Sequence, residues 1–308
     1  MSAHDIPLAE AGGVLTIDLA ALRANYQELA RRVAPALCAG VVKGDGYGIG
    51  LAPAATALWQ AGARCFFVAL LSEARGLREV LPDAEIFVLN GLFAGTEPAY
   101  RDLDLRPVLG SVPEIERWRG FCEHVGEALP AALHVDTGMN RLGLSPTEAI
   151  GLAEGRDDLG FPLALIMSHL ACADEPGHPL TARQLEDFRA IAALFPDVRA
   201  SLSNSAGALG DPALHFDLVR PCIALYGGRR APTSPRCGRS SGSSCASPRS
   251  VACTPARASA MARPIPSGAK HPASPSSRPA MPTAFRASPA PPTFAPAPRR
   301  WSRGIAAR

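Results

Sequence analysis

The sequence predicts an α/β fold: a (β/α)8 barrel of the TIM type, followed by a tail of different composition. Three observations lead to this prediction. Short apolar segments alternate with segments of helical hydrophobic spacing over the first 228 residues. Eight of the apolar segments are mostly unbroken hydrophobic runs, which is typical of parallel strands covered on both faces. The last 80 residues lack this alternation altogether.

The predicted elements follow each other in strand-helix order. The eight predicted barrel strands begin at Ala36, Cys65, Ile86, Leu105, Ala131, Leu163, Arg199 and Asp217. Helical spacing predicts helices over 19–33, 51–61, 72–80, 112–124, 145–154 and 181–195, with Ser72 capping the third and Ser145, Pro146 and Glu148 starting the fifth. A further short strand is predicted at 14–18. Pattern alone fits a doubly wound sheet nearly as well, and the motifs below favour the barrel.

Composition divides the chain into an N-terminal extension (1–13), the barrel (14–228) and a low-complexity basic tail (229–308). The tail holds thirteen Arg, Lys270, half of the 30 prolines, and no Asp, Glu, Leu or Tyr. The rest of the chain is net acidic. The tail has too few branched aliphatic residues to offset the entropy of ordering it, so it is expected to be disordered.

Bulk features exclude several classes of protein. No apolar run is long enough to span a membrane. The start of the chain carries Asp5 and Glu10 and no basic region, so no secretory signal is predicted and the expected location is cytoplasmic. None of the eight cysteines forms a C-x-x-C pair, which favours reduced thiols. No metal site is predicted.

One lysine stands where chemistry is expected. Lys43 ends a buried apolar strand and begins a Gly-rich turn, so the barrel holds its stem and presents its amine at the catalytic mouth. Partial desolvation would make such an amine a Schiff-base nucleophile. The alternative is an ordinary strand-end lysine that faces solvent.

Five segments at strand-to-loop boundaries carry most of the polar residues of interest. They read V-V-K-G-D-G-Y-G-I-G (41–50), H-V-D-T-G-M-N-R-L-G (134–143), M-S-H-L-A-C-A-D-E (167–175), S-L-S-N-S-A-G (201–207) and L-V-R-P-C-I-A-L-Y-G (218–227). Taken singly, two further segments also have a plain structural alternative: His169 as a packed strand-end histidine, and Asn204 or Ser205 as an ordinary helix N-cap. Together, and in this order, the five segments resemble the signature motifs of the alanine racemase family, over about residues 14–227.

The resemblance implies pyridoxal 5′-phosphate (PLP) as cofactor and a role for each matching residue. Lys43 would form the Schiff base with PLP, and Tyr47 would line the cofactor pocket. Arg141 would contact the phenolic oxygen and the substrate, His169 would pack against the pyridine ring, and Arg220 would face the ring nitrogen. The phosphate would lie at Asn204, Ser205, Cys222 and Ile223, near a helix N-terminus.

The sequence departs from the family motifs at a few positions. Gly44 and Gly46 stand where alanines are usual, and Ile49 replaces a frequent histidine. His134 occupies a position that is often lysine, so Arg141 must be braced differently. Cys222 replaces a glycine at the phosphate, and its side chain is expected to crowd that group.

The implied function is the interconversion of L- and D-alanine, which supplies D-alanine for peptidoglycan. The expected partner is the small-molecule substrate alanine. Members of the family form homodimers, largely through the C-terminal β domain, so a homodimer is not expected for a chain with this tail. No specific nucleic-acid or membrane partner is expected. Alternatives are a PLP-binding barrel without racemase activity and a decayed product that does not act.

The second proton-transfer group is not found in the sequence. In the family this group is a tyrosine of a C-terminal β domain, whereas the four tyrosines here are Tyr26, Tyr47, Tyr100 and Tyr226. Poor racemisation is therefore expected. The tail is interpreted as an out-of-frame reading of a GC-rich coding region. The alternative is a natural basic tail that binds nucleic acid or anionic surfaces through charge.

Overall fold

A computed structural model describes residues 16–228, and these form a ring of parallel strands surrounded by helices. The first strand, β1, consists of Leu37–Cys38 and Gly40–Val41, separated by Ala39. The others are β2 (Cys65–Val68), β3 (Glu85–Val88), β4 (Leu105–Leu109), β5 (Ala131–His134), β6 (Leu163–Met167), β7 (Ala200–Ser201) and β8 (Leu218–Val219). All neighbouring strands with an assigned register run parallel.

The two halves of β1 allow the ring to close. Gly40–Val41 pairs with β2, which begins a seven-stranded sheet ending at β7, while Leu37–Cys38 pairs with β8. The remaining seam lies between β7 and β8. Two backbone hydrogen bonds cross it, from the Asp217 nitrogen to the Ala200 oxygen (3.1 Å) and from the Arg220 nitrogen to the Ser203 oxygen (3.0 Å). The strand order is therefore that of a closed eight-stranded barrel.

The helices follow the strands as the alternation predicts. They are α1 (Leu19–Val33), α2 (Leu51–Gln60), α3 (Leu71–Val80), α4 (Glu97–Asp102), α5 (Val112–Val125), α6 (Pro146–Glu154), α7 (Pro179–Ala192) and α8 (Ser205–Ala208), with 3-10 turns at Arg156–Asp158 and Pro212–Leu214. The predicted capping box at Ser145 and Glu148 is present. The predicted Ser72 cap is wrong: α3 begins after Leu70, and the Glu73 carboxylate accepts the backbone N–H groups of Ala69 and Leu70 instead.

Two apolar layers fill the fold. A small cluster inside the ring includes Val41, Phe67, Phe87 and Met167, with Phe67 and Phe87 stacked at 4.9 Å between ring centroids. A larger cluster lies between the ring and the helices. The hydrophobic effect of burying both layers fixes the strand ends in space. The side chains that follow those ends are thereby held on a rigid frame.

The fold prediction is confirmed for the part of the chain that the structure describes. The predicted strand at 14–18 lies partly outside the described residues, and Thr16 to Asp18 form no strand; Asp18 instead caps α1 by accepting the Ala21 N–H at 2.9 Å. The predicted disorder of the tail concerns residues outside the described range. Within residues 16–228 no helix is long and apolar enough to cross a membrane.

Candidate active site at the carboxyl ends of the strands

The polar residues selected from the sequence converge on one end of the barrel. Lys43 follows β1, His169 follows β6, Ser205 follows β7 and Arg220 follows β8. Because the strands are parallel, all of these positions lie at their carboxyl ends. This is the face where barrel enzymes hold their active sites.

A left-handed helical turn connects Lys43 to the rest of the site. Gly44 (φ 62°, ψ 46°), Asp45 (φ 51°, ψ 51°) and Gly46 (φ 62°, ψ 40°) all adopt the left-handed conformation. Side chains anchor the turn: Asp45 Oδ1 accepts the Leu51 N–H at 2.7 Å, and Glu73 Oε1 accepts the Gly44 N–H at 2.6 Å. A turn was predicted here from the glycines, but its handedness was not.

Lys43 is half-buried at the start of this turn. It is also the one lysine among residues 16–228, the second lysine of the chain being Lys270. The other basic residues of the described part, apart from histidines, are arginines, which stay protonated and cannot form a Schiff base. Among residues 16–228, Lys43 is therefore the one residue whose side chain can form a Schiff base.

Arg220 is a buried cation inside the ring, with 5% of its surface exposed. Its guanidinium donates to the Ser201 hydroxyl and, at 2.6 Å, to the Ser168 carbonyl, and it lies 5.9 Å from the centroid of the Phe67 ring. Both hydrogen-bond partners are neutral, so burial lowers the pKa of Arg220 to about 10. The side chain thus presents an almost uncompensated positive charge to the mouth.

Two histidines near Arg220 are held neutral. Burial, followed by the charges of Arg220 and Arg141, lowers the pKa of His169 to about 3. Burial and Arg220 lower the pKa of His134 to about 4, although Asp136 opposes this shift. At neutral pH both rings are uncharged, which suits His169 for packing against an aromatic ring.

Arg141 is more exposed than its predicted contact with a cofactor suggests. It lies on the loop after β5 and lines an open cavity together with His134, Asn90 and Glu114. Its charge still lowers the pKa of both histidines, so it lies near the same mouth.

Asn204, Ser205, Cys222 and Ile223 form a connected subsite at the start of α8. Asn204 Oδ1 accepts the N–H groups of Ala206 and Gly207, both at 3.1 Å. Ser205 Oγ accepts the Cys222 N–H at 2.8 Å and lies 3.3 Å from the Cys222 sulfur. Ile223 is exposed. The predicted cluster is therefore assembled, with its donors paired internally.

The Cys222 sulfur lies within hydrogen-bond distance of Ser205 Oγ in this subsite, and either atom can be the donor. Burial raises the pKa of its thiol, but hydrogen bonds from Ser205, the Ile223 backbone and Tyr47 outweigh burial and leave the pKa below its usual value. Tyr47 also packs against Tyr226, with ring centroids 4.7 Å apart. Tyr226 in turn donates to the Val41 carbonyl at 2.9 Å, which connects the turn that follows β8 to β1.

Sequence reasoning missed several residues that hold the site together. Glu73 anchors the left-handed turn, and Gln184 is a fully buried amide beside His169. Neither belongs to a strand-end motif, and both come from helices on the outside of the ring. A charged or amide side chain on the apolar face of a predicted helix was the available signal.

Comparison with known proteins agrees with this arrangement. The family model described as alanine racemase, N-terminal domain, matches residues 17–230. The chain belongs to the alanine racemase family. The segments that carry the family motifs are thus the same segments whose residues converge at one end of the barrel.

Individual relatives give the extent of the similarity. The chain is 57% identical over 225 residues to an alanine racemase of Methylobacterium sp. (strain 4-46) and 49% identical over 221 residues to one of Rhodospirillum rubrum, alignments that cover 73% and 71% of this chain and 62% and 59% of those proteins. The chain therefore spans about three fifths of the length of these curated relatives.

Solved alanine racemase structures share the barrel. The enzyme from Bartonella henselae, determined with covalently bound pyridoxal phosphate, has a TM-score of 0.68 and 39% identity, covering 72% of this chain and 64% of that one. The biosynthetic alanine racemase from Pseudomonas aeruginosa has a TM-score of 0.65 and 38% identity, covering 72% of this chain and 62% of that one.

Proposed function

We propose that residues 14–228 form a PLP-binding catalytic domain and that this domain takes part in the interconversion of L- and D-alanine. The observation that carries the proposal is the convergence of Lys43, His169, Arg220 and Ser205 at one barrel mouth, in a chain of the alanine racemase family. No other lysine of the described residues competes with Lys43 for the cofactor.

The described residues fit PLP chemically. The phosphate and the phenolic oxygen of PLP are anionic, and the mouth carries Lys43, Arg141 and the buried Arg220, whose two hydrogen-bond partners are neutral. The ring is aromatic, and His169 is kept neutral beside the mouth. The Ser205 hydroxyl and the backbone N–H groups around Cys222 would hold the phosphate. For this, the groups that donate to the Cys222 sulfur would have to donate to the phosphate instead.

Lys43 and Arg220 would have different roles in proton transfer. PLP, when bound, withdraws electrons from the amino-acid Cα and makes the α-proton acidic. Lys43 would take and return that proton on one face of Cα, as a positioned amine. Arg220 would hold the ring nitrogen with a donor rather than an acceptor, which limits electron withdrawal and favours simple proton exchange over side reactions.

A second copy of the chain is the proposed partner. Loops at the carboxyl ends of the strands expose Leu70, Phe93, Leu142 and Ile223, with 44 to 61% of their surfaces accessible. Apolar side chains grouped around a mouth are typical of an interface. We propose a homodimer in the cytoplasm in which the partner covers this mouth.

The alternative within the same fold is a barrel that binds PLP without racemising amino acids. It predicts the same cofactor chemistry at Lys43 and differs only in proton transfer to alanine. Cofactor binding and proton transfer must therefore be measured separately.

The test of cofactor binding is reductive trapping. Purified protein incubated with PLP and then sodium borohydride should carry the pyridoxyl group on the peptide that contains Lys43. The matched control is Lys270→Arg, which removes the second lysine of the chain and should leave labelling unchanged, whereas Lys43→Ala should abolish it. A folded protein that is labelled only at Lys270, or not at all, would contradict the proposal.

A further inference from the structure

One of the buried residues of helix α7 is polar. Gln184 is fully buried there, alongside the apolar Phe188 and Ile191. Burying an amide is unfavourable unless its hydrogen bonds are satisfied, and a leucine or methionine would suit the packing equally well. The buried amide therefore needs specific hydrogen-bond partners.

Both ends of the Gln184 amide are hydrogen-bonded, and their partners belong to the mouth of the barrel. Its Oε1 accepts the Ala171 N–H at 2.9 Å. Its Nε2 donates to the His169 carbonyl at 2.9 Å and lies 3.4 Å from Thr137 Oγ1. One side chain from the outer layer thus contacts the backbone on either side of Leu170 and the loop that follows β5.

The hydrogen bonds continue from Thr137 to Arg220. Thr137 Oγ1 lies 2.8 Å from Ser168 Oγ, and both residues are buried. The Ser168 carbonyl accepts Arg220 Nη2 at 2.6 Å. Gln184 is therefore joined directly to the His169 backbone and, through Thr137 and Ser168, to the guanidinium of Arg220.

Close packing keeps this network in place. A Cβ on Gly138, whose φ is 126°, would lie 3.2 Å from Leu180 Cδ1 and 3.7 Å from Gln184 Cγ. The loop after β5 therefore lies directly against α7, and a glycine at 138 permits that approach. A shift of Gln184 would move the loop and the end of β6 together.

We propose that Gln184 is a positioning residue that sets the placement of His169 relative to Arg220. This inference rests on the proposed function, in which these two residues contact the ring of PLP. Gln184 itself touches neither the cofactor nor the reacting atoms. It acts by fixing the strand ends that carry the two contacts, as supporting shells do in other sites.

The experiment compares variants on the same helix face. Gln184→Met keeps the length of the side chain and removes its hydrogen bonds, and Thr137→Val removes the hydroxyl that links it to Ser168. Phe188→Leu is the control, because it disturbs the packing of the same face one turn away. For each protein, the dissociation constant for PLP is measured by absorbance titration, and the thermal midpoint is measured without PLP.

Gln184→Met should weaken PLP binding about tenfold, because buried partners lose their hydrogen bonds and the two contacts separate. Thr137→Val should weaken binding less, and the double variant should lose less than the sum of the two because both act on one network. Phe188→Leu should lower the thermal midpoint and leave PLP affinity within about twofold.

A second readout does not depend on PLP. The His169 ring, followed by NMR over the acidic pH range in which the protein stays folded, should remain neutral in the wild type and begin to titrate at higher pH in Gln184→Met, because a loosened strand end admits water to the ring. Phe188→Leu should leave this titration unchanged.

The outcomes separate the two proposals. Unchanged PLP affinity in Gln184→Met, or equal losses in Gln184→Met and Phe188→Leu, would overturn the positioning role. If Gln184→Met does not fold, Thr137→Val decides by the same measure. A wild type that traps no PLP on Lys43 overturns the proposed function, and the His169 titration then decides the positioning role alone.

Discussion

We propose that Cys222 limits how readily the proposed phosphate subsite accepts its ligand. Its sulfur lies 3.3 Å from Ser205 Oγ, and it also takes hydrogen bonds from Tyr47 and the Ile223 N–H. A phosphate would need the same donors, so sulfur and phosphate compete for them. Because the pKa of the thiol lies below its usual value, a thiolate adds repulsion as the pH rises.

We expect Cys222→Gly to tighten PLP binding by roughly tenfold, since the competing acceptor is removed. The gain should increase from pH 7 toward pH 9, as the wild-type thiol ionises and the glycine variant has nothing to ionise. Titration of PLP absorbance at several pH values measures both effects. Cys172→Ala, at another half-buried free cysteine, is the control. Equal affinities for the wild type and Cys222→Gly would mean that the loop accommodates the thiol.

Most of the residues at the mouth could be predicted from the sequence, because they belong to the motifs at the strand ends. The structure places Lys43, His169, Asn204, Ser205 and Arg220 together as the motifs imply. The exposure of Arg141 could not be predicted, because it depends on the conformation of a loop. The contact of Gln184 with Thr137 could not be predicted either, because the two residues are 47 positions apart in the sequence.

At the scale of elements, the left-handed turn at Lys43–Tyr47 is the least ordinary piece of the fold. An L-residue with a Cβ is disfavoured in this conformation by about 1–2 kcal/mol, and glycine is not. Gly44 has open space where a Cβ would point, so only the backbone preference opposes a side chain there. The two glycines of the turn therefore stabilise it where alanines are usual in the family motif.

Gly44→Ala should lower the free energy of unfolding by about 1 kcal/mol. The matched control is Gly120→Ala in α5, an exposed helical position with open space around its Cβ, where the same change should raise stability by about 0.5–1 kcal/mol. Denaturant titration of both variants measures the two changes in the free energy of unfolding, which should have opposite signs. A stabilising Gly44→Ala would contradict the left-handed assignment.

The eight barrel strands followed from the sequence, whereas helix α4 and the closure of the barrel did not. Unbroken apolar runs predicted all eight strands, and a helix capping box at Ser145 and Glu148 was correctly read. The pairing of Leu37 with Leu218 distinguishes a barrel from an open doubly wound sheet. No local pattern encodes a contact between residues so far apart, so the motifs rather than the periodicity favoured the barrel.

At the scale of the whole molecule, the proposed racemisation has one candidate base, Lys43, and none of the tyrosines among residues 16–228 is free to serve as a second. Tyr26, Tyr100 and Tyr226 donate to backbone carbonyls, and Tyr47 packs beside Cys222. Burial raises the pKa of all four phenols. The proposed racemisation needs proton transfer on both faces of Cα, and these four tyrosines are already engaged, so none of them serves the second face.

The 308-residue chain loaded with PLP should therefore exchange the α-proton of one alanine enantiomer with solvent deuterium about 10² times faster than it racemises alanine. Proton NMR in deuterium oxide follows exchange, and a chiral assay follows racemisation. Lys43→Ala should lose both activities. Equal rates of exchange and racemisation would mean that a second base is already in place.

The seam between β7 and β8 also affects how the barrel is made. β8 ends at Val219, so β1 and β7 remain unpaired along one edge until nearly all of the barrel has left the ribosome. Exposed strand edges can pair with other chains. Until β8 is added, the outer edges of β1 and β7 have no partner strand in the ring, so we expect the nascent protein to be more prone to aggregation before β8 is made than after the ring has closed.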